Sequence, residues 1–255
     1  MQQGYVCVHA LLVVSLKVHL LCTALWFLSV NIIQYKELIG RHLLISVKTG
    51  KSISIPCLYD SQYVNNVKYL CEGYYWRYCS DAVKTNKPDP SGKYLISDDK
   101  RKKIFTVTIN QLTNENTDYW CVVEIDGWSP FFYTFQIVKF STPSLYVDHQ
   151  KITGYIGENI TVRCHHSISG QMKWCRLERN CVTGSSGSID GTTVTAHMRD
   201  LNVFTVTMSG LKSENTGWYW CAKGDIQIPV YLTVTEKPIT SKYCKLSTKL
   251  YSYMN

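Results

Sequence analysis

Cysteine is the residue type whose number and spacing most clearly indicate chemistry in this chain. There are 11 cysteines among 255 residues, which is too many for a reduced compartment unless they bind a metal. The long interval from Cys57 to Cys121 suits a bridge between two β-sheets, and the short interval from Cys71 to Cys79 suits a second bridge. The alternative for the second pair is two buried thiols. We expect oxidised pairs and hence a secretory compartment.

The same cysteine arrangement recurs later in the chain. It pairs Cys164 with Cys221 and Cys175 with Cys181. Cys244 stands alone near the C-terminus, which leaves a covalent dimer through this residue open. The cysteines therefore predict two units, each with a long and a short bridge.

A sequence repeat indicates what these units are. Residues 105–121 read FTVTINQLTNENTDYWC and residues 204–221 read FTVTMSGLKSENTGWYWC, as expected of a duplicated unit. Each copy predicts a half-buried strand, a polar turn and a second strand. Tyr119 and Tyr219 stand two residues before a cysteine, the tyrosine-corner arrangement in which the phenol bonds back to the preceding turn. The predicted fold is all-β, with two tandem variable-type immunoglobulin-like sandwiches after an N-terminal hydrophobic leader.

The chain divides into four segments on this basis. Residues 1–33 are apolar but interrupted by a lysine and a histidine, which favours a signal peptide and leaves an uncleaved signal anchor, with membrane association, as the alternative. Residues 42–140 form the first immunoglobulin V-like domain and residues 144–235 the second. Residues 236–255 form a basic tail without an apolar stretch long enough to cross a bilayer.

The net charge of +8 favours an anionic partner. The positive residues are scattered over strand-rich segments, so we expect no nucleic-acid partner. The exception is the run at residues 100–103, Lys-Arg-Lys-Lys, which could bind heparan chains or acidic lipid. A solvated turn is the alternative, because Asp98 and Asp99 precede the run and partly neutralise it.

Nothing in the sequence favours catalysis. There is no plausible Ser/His/Asp or Cys/His set and no glycine-rich phosphate loop, so we expect no enzyme. His165 and His166 beside Cys164 match no zinc-finger spacing, and a bridged cysteine cannot bind a metal. We therefore expect no zinc site.

The cysteine-flanked segment of the first unit resembles a known family. Two segments are similar to the polymeric immunoglobulin receptor family and the CMRF-type leukocyte receptors. They are residues 68–79, KYLCEGYYWRYC, and residues 104–109, IFTVTI. The second unit resembles them through KWC at residues 173–175. The resemblance implies cell-surface receptors that bind polymeric immunoglobulins or phospholipids and signal through a membrane segment and tail. Leu70 stands where the family carries a core Trp, so we expect the first domain to be the less stable of the two.

The candidate ligand site is the loop end of the first sandwich, because function in such folds lies in loops on a rigid frame. An exposed indole beside carboxylates could insert into a lipid interface while a Ca²⁺ ion bridges to a phosphate. The alternative is that the indole packs against its own loop and the acids are solvated. The candidate residues are Asp60, Glu124, Asp126, Trp128 and Phe131.

Two functional hypotheses follow. The first is the ectodomain of a cell-surface or secreted immune-type receptor that binds a phospholipid headgroup or an immunoglobulin. The second is an adhesion or decoy module that acts through contacts of its sheet faces. Asn159 begins the glycosylation sequon Asn159-Ile160-Thr161, which fits an extracellular protein in either case.

Overall fold

The computed structural model of the chain describes residues 43–75, 78–112, 117–125, 131–140, 143–177, 179–200 and 202–238. The predicted leader and the tail beyond residue 238, with Cys244, lie outside these residues. Strands dominate the described chain. None of its helical segments is long and apolar enough to cross a bilayer.

The first sandwich consists of two sheets that face each other. One has the strand order β1-β8-β7-β3-β4 and the other β2-β6-β5. Neighbouring strands are antiparallel, except that β1 runs parallel to β8, an arrangement typical of variable-type domains. The strands are β1 (Leu43–Lys48), β2 (Ile53–Leu58), β3 (Lys68–Glu72), β4 (Ser80–Lys84), β5 (Tyr94–Asp99), β6 (Ile104–Ile109), β7 (Thr117–Val123) and β8 (Phe131–Phe140).

The second sandwich repeats this plan. Its sheets have the orders β13-β12-β17-β18, with β10 also paired to β18, and β14-β15-β16-β11-β9. The strands are β9 (Leu145–Val147), β10 (Lys151–Tyr155), β11 (Ile160–His166), β12 (Met172–Arg176), β13 (Cys181–Val182), β14 (Ser186–Ile189), β15 (Thr192–Asp200), β16 (Val203–Ser209), β17 (Gly217–Lys223) and β18 (Ile226–Thr235). The all-β fold of two tandem variable-type sandwiches is therefore as the sequence predicts.

The sequence repeat forms corresponding strands in both sandwiches. In β6, buried Phe105, Val107 and Ile109 alternate with partly exposed neighbours. This period of two puts one face of the strand into the core and leaves the other towards solvent. In the second sandwich β16 buries Phe204 and Val206 in the same way.

Each sandwich contains one long-range and one short-range disulfide. The long-range bridges join β2 to β7 in the first sandwich and β11 to β17 in the second, so that each crosses the core between two sheets. Closing loops of this length stabilises a fold by about 4 kcal/mol in the chain-entropy model. The bridged pairs are Cys57–Cys121, Cys71–Cys79, Cys164–Cys221 and Cys175–Cys181.

The two sandwiches differ beside the long-range bridge. Trp174 is fully buried in the second, and its ring stacks on Tyr219 with centroids 5.2 Å apart. Leu70 occupies the equivalent place in the first and is also fully buried. The Tyr219 hydroxyl donates to the Asn215 carbonyl at 2.9 Å, which is the expected tyrosine corner. The Tyr119 hydroxyl donates to the Glu72 carboxylate at 3.2 Å, and the turn before Tyr119 lies outside the described residues.

The sandwiches are joined by more than the linker. Strand β1 of the first pairs with the start of β18 of the second, where Leu44 lies opposite Ile226. The side-chain amide of Gln150, in the second sandwich, accepts from the Ser54 backbone N–H at 2.9 Å and donates to the Ser54 carbonyl at 2.5 Å. The second sandwich therefore contacts both sheets of the first, one through β1 and the other through β2.

Candidate functional site: the loop end of the first sandwich

Three loops of the first sandwich meet at one end because of strand register. Lys68, which begins β3, lies opposite Val123, the last residue of β7. Tyr69 lies opposite Lys84, the last residue of β4. The loops that lead into β3 and out of β4 and β7 therefore lie side by side. We call this surface the loop end.

The first of these loops, which leads into β3, is held in place by the carboxylate of Asp60. Asp60 caps a short 3₁₀ turn, Ser61–Tyr63. Its Oδ1 accepts from the Gln62 backbone N–H at 3.1 Å and from the Ser61 hydroxyl at 3.2 Å. These donors, the Gln62 N–H above all, lower the pKa of the Asp60 carboxyl. Asp60 therefore stabilises its own turn, as an N-cap does.

A buried lysine lies beneath this loop. Lys68 has no exposed side-chain surface, and its Nζ donates to the Val64 carbonyl at 2.9 Å and lies 3.2 Å from Asp98 Oδ2. It also lies 4.1 Å from the centre of the Tyr59 ring. The Tyr59 hydroxyl donates to Asp98 Oδ1 at 2.7 Å. Burial, followed by the hydrogen bond to Asp98, raises the pKa of Tyr59.

This network makes the base of the first loop rigid. Removing one partner of a buried ion pair costs about 3–5 kcal/mol, because the other charge is left uncompensated. From the sequence, Asp98 is expected only to neutralise part of the run at residues 100–103, and Lys68 belongs only to the segment that carries the family resemblance. The signal that could have found the pair is a lysine at the start of an otherwise buried strand.

The first loop is connected to the last one by Asn66. Its side-chain Nδ2 donates to the Glu124 carbonyl at 2.8 Å, and the Glu124 backbone N–H donates to the Val67 carbonyl at 2.8 Å. The two loops are thus bonded on both sides of the same residue. A surface fixed in this way loses little conformational entropy when it binds a partner.

A charged cluster borders the Asn66 link. Lys84 Nζ lies 2.9 Å from Asp81 Oδ2 and 4.0 Å from Glu124 Oε2, and 4.6 Å from the centre of the Tyr69 ring. The hydrogen bond to Asp81 raises the pKa of Lys84. The loop end therefore presents mixed charge and an aromatic ring, a composition common at protein interfaces.

Of the predicted ligand set, only Asp60 and Glu124 have described side chains, and they make separate contacts. Asp60 bonds within its own turn, whereas Glu124 contacts the Asn66 and Lys84 side. Asp126 and Trp128 lie outside the described residues, and Phe131 begins β8 with its side chain undescribed. No group of three or more His, Cys, Asp or Glu side chains in the described ranges could hold a metal ion. The Ca²⁺ site stays a prediction.

The glycosylation candidate and the two adjacent histidines lie in the second sandwich, away from the loop end. Asn159 is exposed at the turn before β11, and its Oδ1 accepts from the Gly210 N–H at 3.0 Å. The ring of His165 stacks on Tyr146, whereas His166 is buried and contacts Lys223. Because successive residues of a strand point to opposite faces, the two histidines are not placed as a pair of metal ligands.

No protein-family model matches the chain. Curated proteins do: it is 26% identical to the polymeric immunoglobulin receptor of Mus musculus over 229 residues, 83% of this chain and 29% of the relative. It is 35% identical to CMRF35-like molecule 3 of Mus musculus over 92 residues, 34% of this chain and 38% of that protein. The chain is a homologue of the polymeric immunoglobulin receptors and the CMRF35-like molecules.

The chain matches only part of the length of its curated relatives. The chain spans about 30% of the length of the polymeric immunoglobulin receptors of mouse and rat. A crystal structure of a teleost fish polymeric immunoglobulin receptor ectodomain is 32% identical, with 77% of this chain and 97% of that chain covered and a TM-score of 0.35. The homology therefore rests on sequence and includes both sandwiches. The relatives are immunoglobulin-fold receptors and not enzymes, which supports the expectation that this chain is no enzyme.

Proposed function

We propose that this chain is the extracellular part of a receptor that binds polymeric immunoglobulin through the loop end of its first sandwich. It would act at the cell surface or in secreted form, and signal where it is joined to a membrane segment. The observation that carries the proposal is the similarity to polymeric immunoglobulin receptors over 83% of the chain. The similarity to CMRF35-like molecule 3 extends over 34%, so immunoglobulin is favoured over the phospholipid alternative.

The geometry of the loop end supports a protein ligand. Its loops are tied by the Asn66 bond and supported by the buried Lys68. It offers an exposed carboxylate at Glu124, a lysine at Lys84 and the Tyr69 ring. Mixed charge around an aromatic ring on a fixed frame favours specific protein recognition, since little ordering of loops is required on binding.

The test compares two asparagines with the same local role. Asn66→Ala removes the bond to the Glu124 carbonyl at the loop end. Asn110→Ala is the control, because Asn110 Nδ2 donates to the Gly92 carbonyl at 2.9 Å in the turns at the opposite end. Surface plasmon resonance on immobilised polymeric immunoglobulin should show about a fivefold weaker Kd for Asn66→Ala, the equivalent of one hydrogen bond, and an unchanged Kd for Asn110→Ala.

Two results would contradict the proposal. One is the absence of binding of the wild-type protein to polymeric immunoglobulin. The other is an equal effect of both asparagine variants, which would move the contact away from the loop end. Flotation on anionic liposomes with and without Ca²⁺ then tests the phospholipid alternative, which predicts that Trp128→Ala abolishes flotation.

A further inference from the structure

Arg101 and Lys102, from the basic run at residues 100–103, line cavities that the second sandwich also lines. The run forms the turn between β5 and β6. Lys102 Nζ lies 5.9 Å from the centre of the Tyr231 ring, on β18, and 3.8 Å from Asp99 Oδ2. Arg101 is exposed, and its side chain has no hydrogen bond or ion pair within the described part of the chain. The turn thus combines a cation that reaches the other sandwich with one available to a ligand.

Two adjoining cavities extend along the junction of the sandwiches. Their volumes are about 420 Å³ and about 640 Å³, within the range of small-ligand sites. Lys102, Ile104 and Trp218 line both cavities. The two therefore adjoin at these three residues, and we call them together the junction groove.

Basic side chains from both sandwiches line the junction groove. Arg101 and Lys102 come from the first, and Lys151 and Arg179 from the second. Lys151 is exposed, and Arg179 is 67% exposed while it pairs with Asp190 at 2.7 Å. Against these four cations the lining holds two carboxylates, Asp99 and Glu214, so the net charge of the groove lining is positive.

One further cation in the lining serves the fold. Arg176 donates to the carbonyls of Asn215 at 3.1 Å and Thr216 at 2.9 Å, and its Nε lies 3.4 Å from Asp190 Oδ2. It is largely buried. We therefore exclude it from the ligand-binding set.

The remaining lining suits a sugar. The Tyr231 ring is half-buried beside the hydroxyls of Thr153 and Thr233, and Ser97 and Thr106 supply hydroxyls from the first sandwich. An aromatic face and several hydroxyls can contact sugar rings, while the separated cations contact anionic substituents. A flat bilayer surface would not enter a groove between two sandwiches.

We propose that the junction groove binds a sulfated glycan chain, a ligand class distinct from the immunoglobulin of the proposed function. The four structural disulfides indicate an extracellular setting, in which sulfated glycans are the abundant linear polyanions. Arg101 and Lys102 of the basic run are then part of one wall of the site, and the second sandwich supplies the other.

The test is a charge-reversal pair measured on the two-sandwich protein with its tail. Arg101→Glu with Lys151→Glu puts negative charge on both walls of the groove. Lys51→Glu with Lys173→Glu is the matched control, because both lysines are exposed, lie outside the groove lining and give the same change in net charge. Isothermal titration with a size-defined heparin oligosaccharide measures the affinity, and circular dichroism checks the fold.

The groove variant should bind at least tenfold more weakly, and the control within about twofold of the wild type, because salt screens charges beyond about 8–10 Å. Wild-type affinity should fall as salt rises and disappear with desulfated heparin. An equal loss in both variants, no loss in either, or equal affinity for a DNA oligonucleotide or for anionic vesicles would overturn the proposal.

Discussion

Glu72 and Arg176 occupy equivalent positions in the two sandwiches, one residue after the third-strand cysteine, and carry opposite charges. Glu72 accepts hydrogen bonds from the hydroxyls of Tyr94 at 2.6 Å and Tyr119 at 3.2 Å. Burial first, and the Glu72 carboxylate next, raise the pKa of Tyr94. The two repeats therefore place a side chain of opposite charge beside the corner tyrosine.

His166 and Lys223 form a buried pair at the residue scale. Both are 5% exposed, and Lys223 Nζ lies 2.8 Å from His166 Nδ1, to which the ammonium donates. Burial, reinforced by the Lys223 charge, lowers the pKa of His166 from its usual value near 6.5. The folded state therefore keeps the imidazole neutral at a pH at which the unfolded chain takes up a proton.

We predict that acidification destabilises the second sandwich through His166. As pH falls below about 6.5, the unfolded state binds the extra proton, so the free energy of unfolding falls by up to about 1.4 kcal/mol per pH unit until the lowered folded pKa is reached. His166→Gln keeps an acceptor for Lys223 and should remove this slope. Urea unfolding between pH 7.5 and about 5 measures it.

The neighbouring histidine is the control for this prediction. His165 stacks on Tyr146 and its Nε2 lies 2.8 Å from Asp148 Oδ1, on the exposed side of the strand. His165→Gln should retain the acid-induced loss of stability. Equal pH slopes for wild type and His166→Gln would show that His166 does not carry the effect.

Residue-scale features were predictable only where spacing carries information. The tyrosine corner at Tyr219 follows from its distance to Cys221, and the structure has the expected bond. The Lys68–Asp98 pair was not predicted, because the two residues lie on different strands and no sequence period links them. The same holds for His166 and Lys223.

At the scale of elements, the strands follow from alternating polarity and the connections between sandwiches do not. The alternation in β6 and β16 predicted strands that the structure contains. The pairing of β1 with β18 has no local signal, since it depends on how two separate sandwiches meet. The loop end is intermediate: the loops were predicted, but the Asn66 link between them was not.

The contact of Gln150 with β2 gives a prediction at this scale. Gln150→Ala removes the acceptor of the Ser54 N–H and the donor to the Ser54 carbonyl. Because Ser54 is buried, these groups lose their partner, and we expect a loss of about 1–3 kcal/mol in the free energy of unfolding. Hydrogen exchange should show faster exchange of the Ser54 amide.

A second glutamine tests whether that effect is specific. Gln171 makes a weak exposed contact with the Thr183 carbonyl at 3.4 Å within the second sandwich. Gln171→Ala should leave exchange at Ser54 and the stability unchanged. An unaltered Ser54 amide in Gln150→Ala would show that the junction is not held by this contact.

At the scale of the whole molecule, composition limited the class of protein and the arrangement of the sandwiches determined the sites. The net charge of +8 predicted an anionic partner without locating it. The structure brings Arg101 and Arg179, far apart in the sequence, to one groove. A local pattern could not reveal that groove, because it exists only when both sandwiches are folded and in contact.

Each half of the chain is a separate sandwich held by its own long and short disulfides. Non-reducing peptide mapping by mass spectrometry of the secreted protein measures these links. We expect Cys57 linked to Cys121, Cys71 to Cys79, Cys164 to Cys221 and Cys175 to Cys181. Reduced thiols at these positions in the secreted protein, or a bridge from one half to the other, would contradict it.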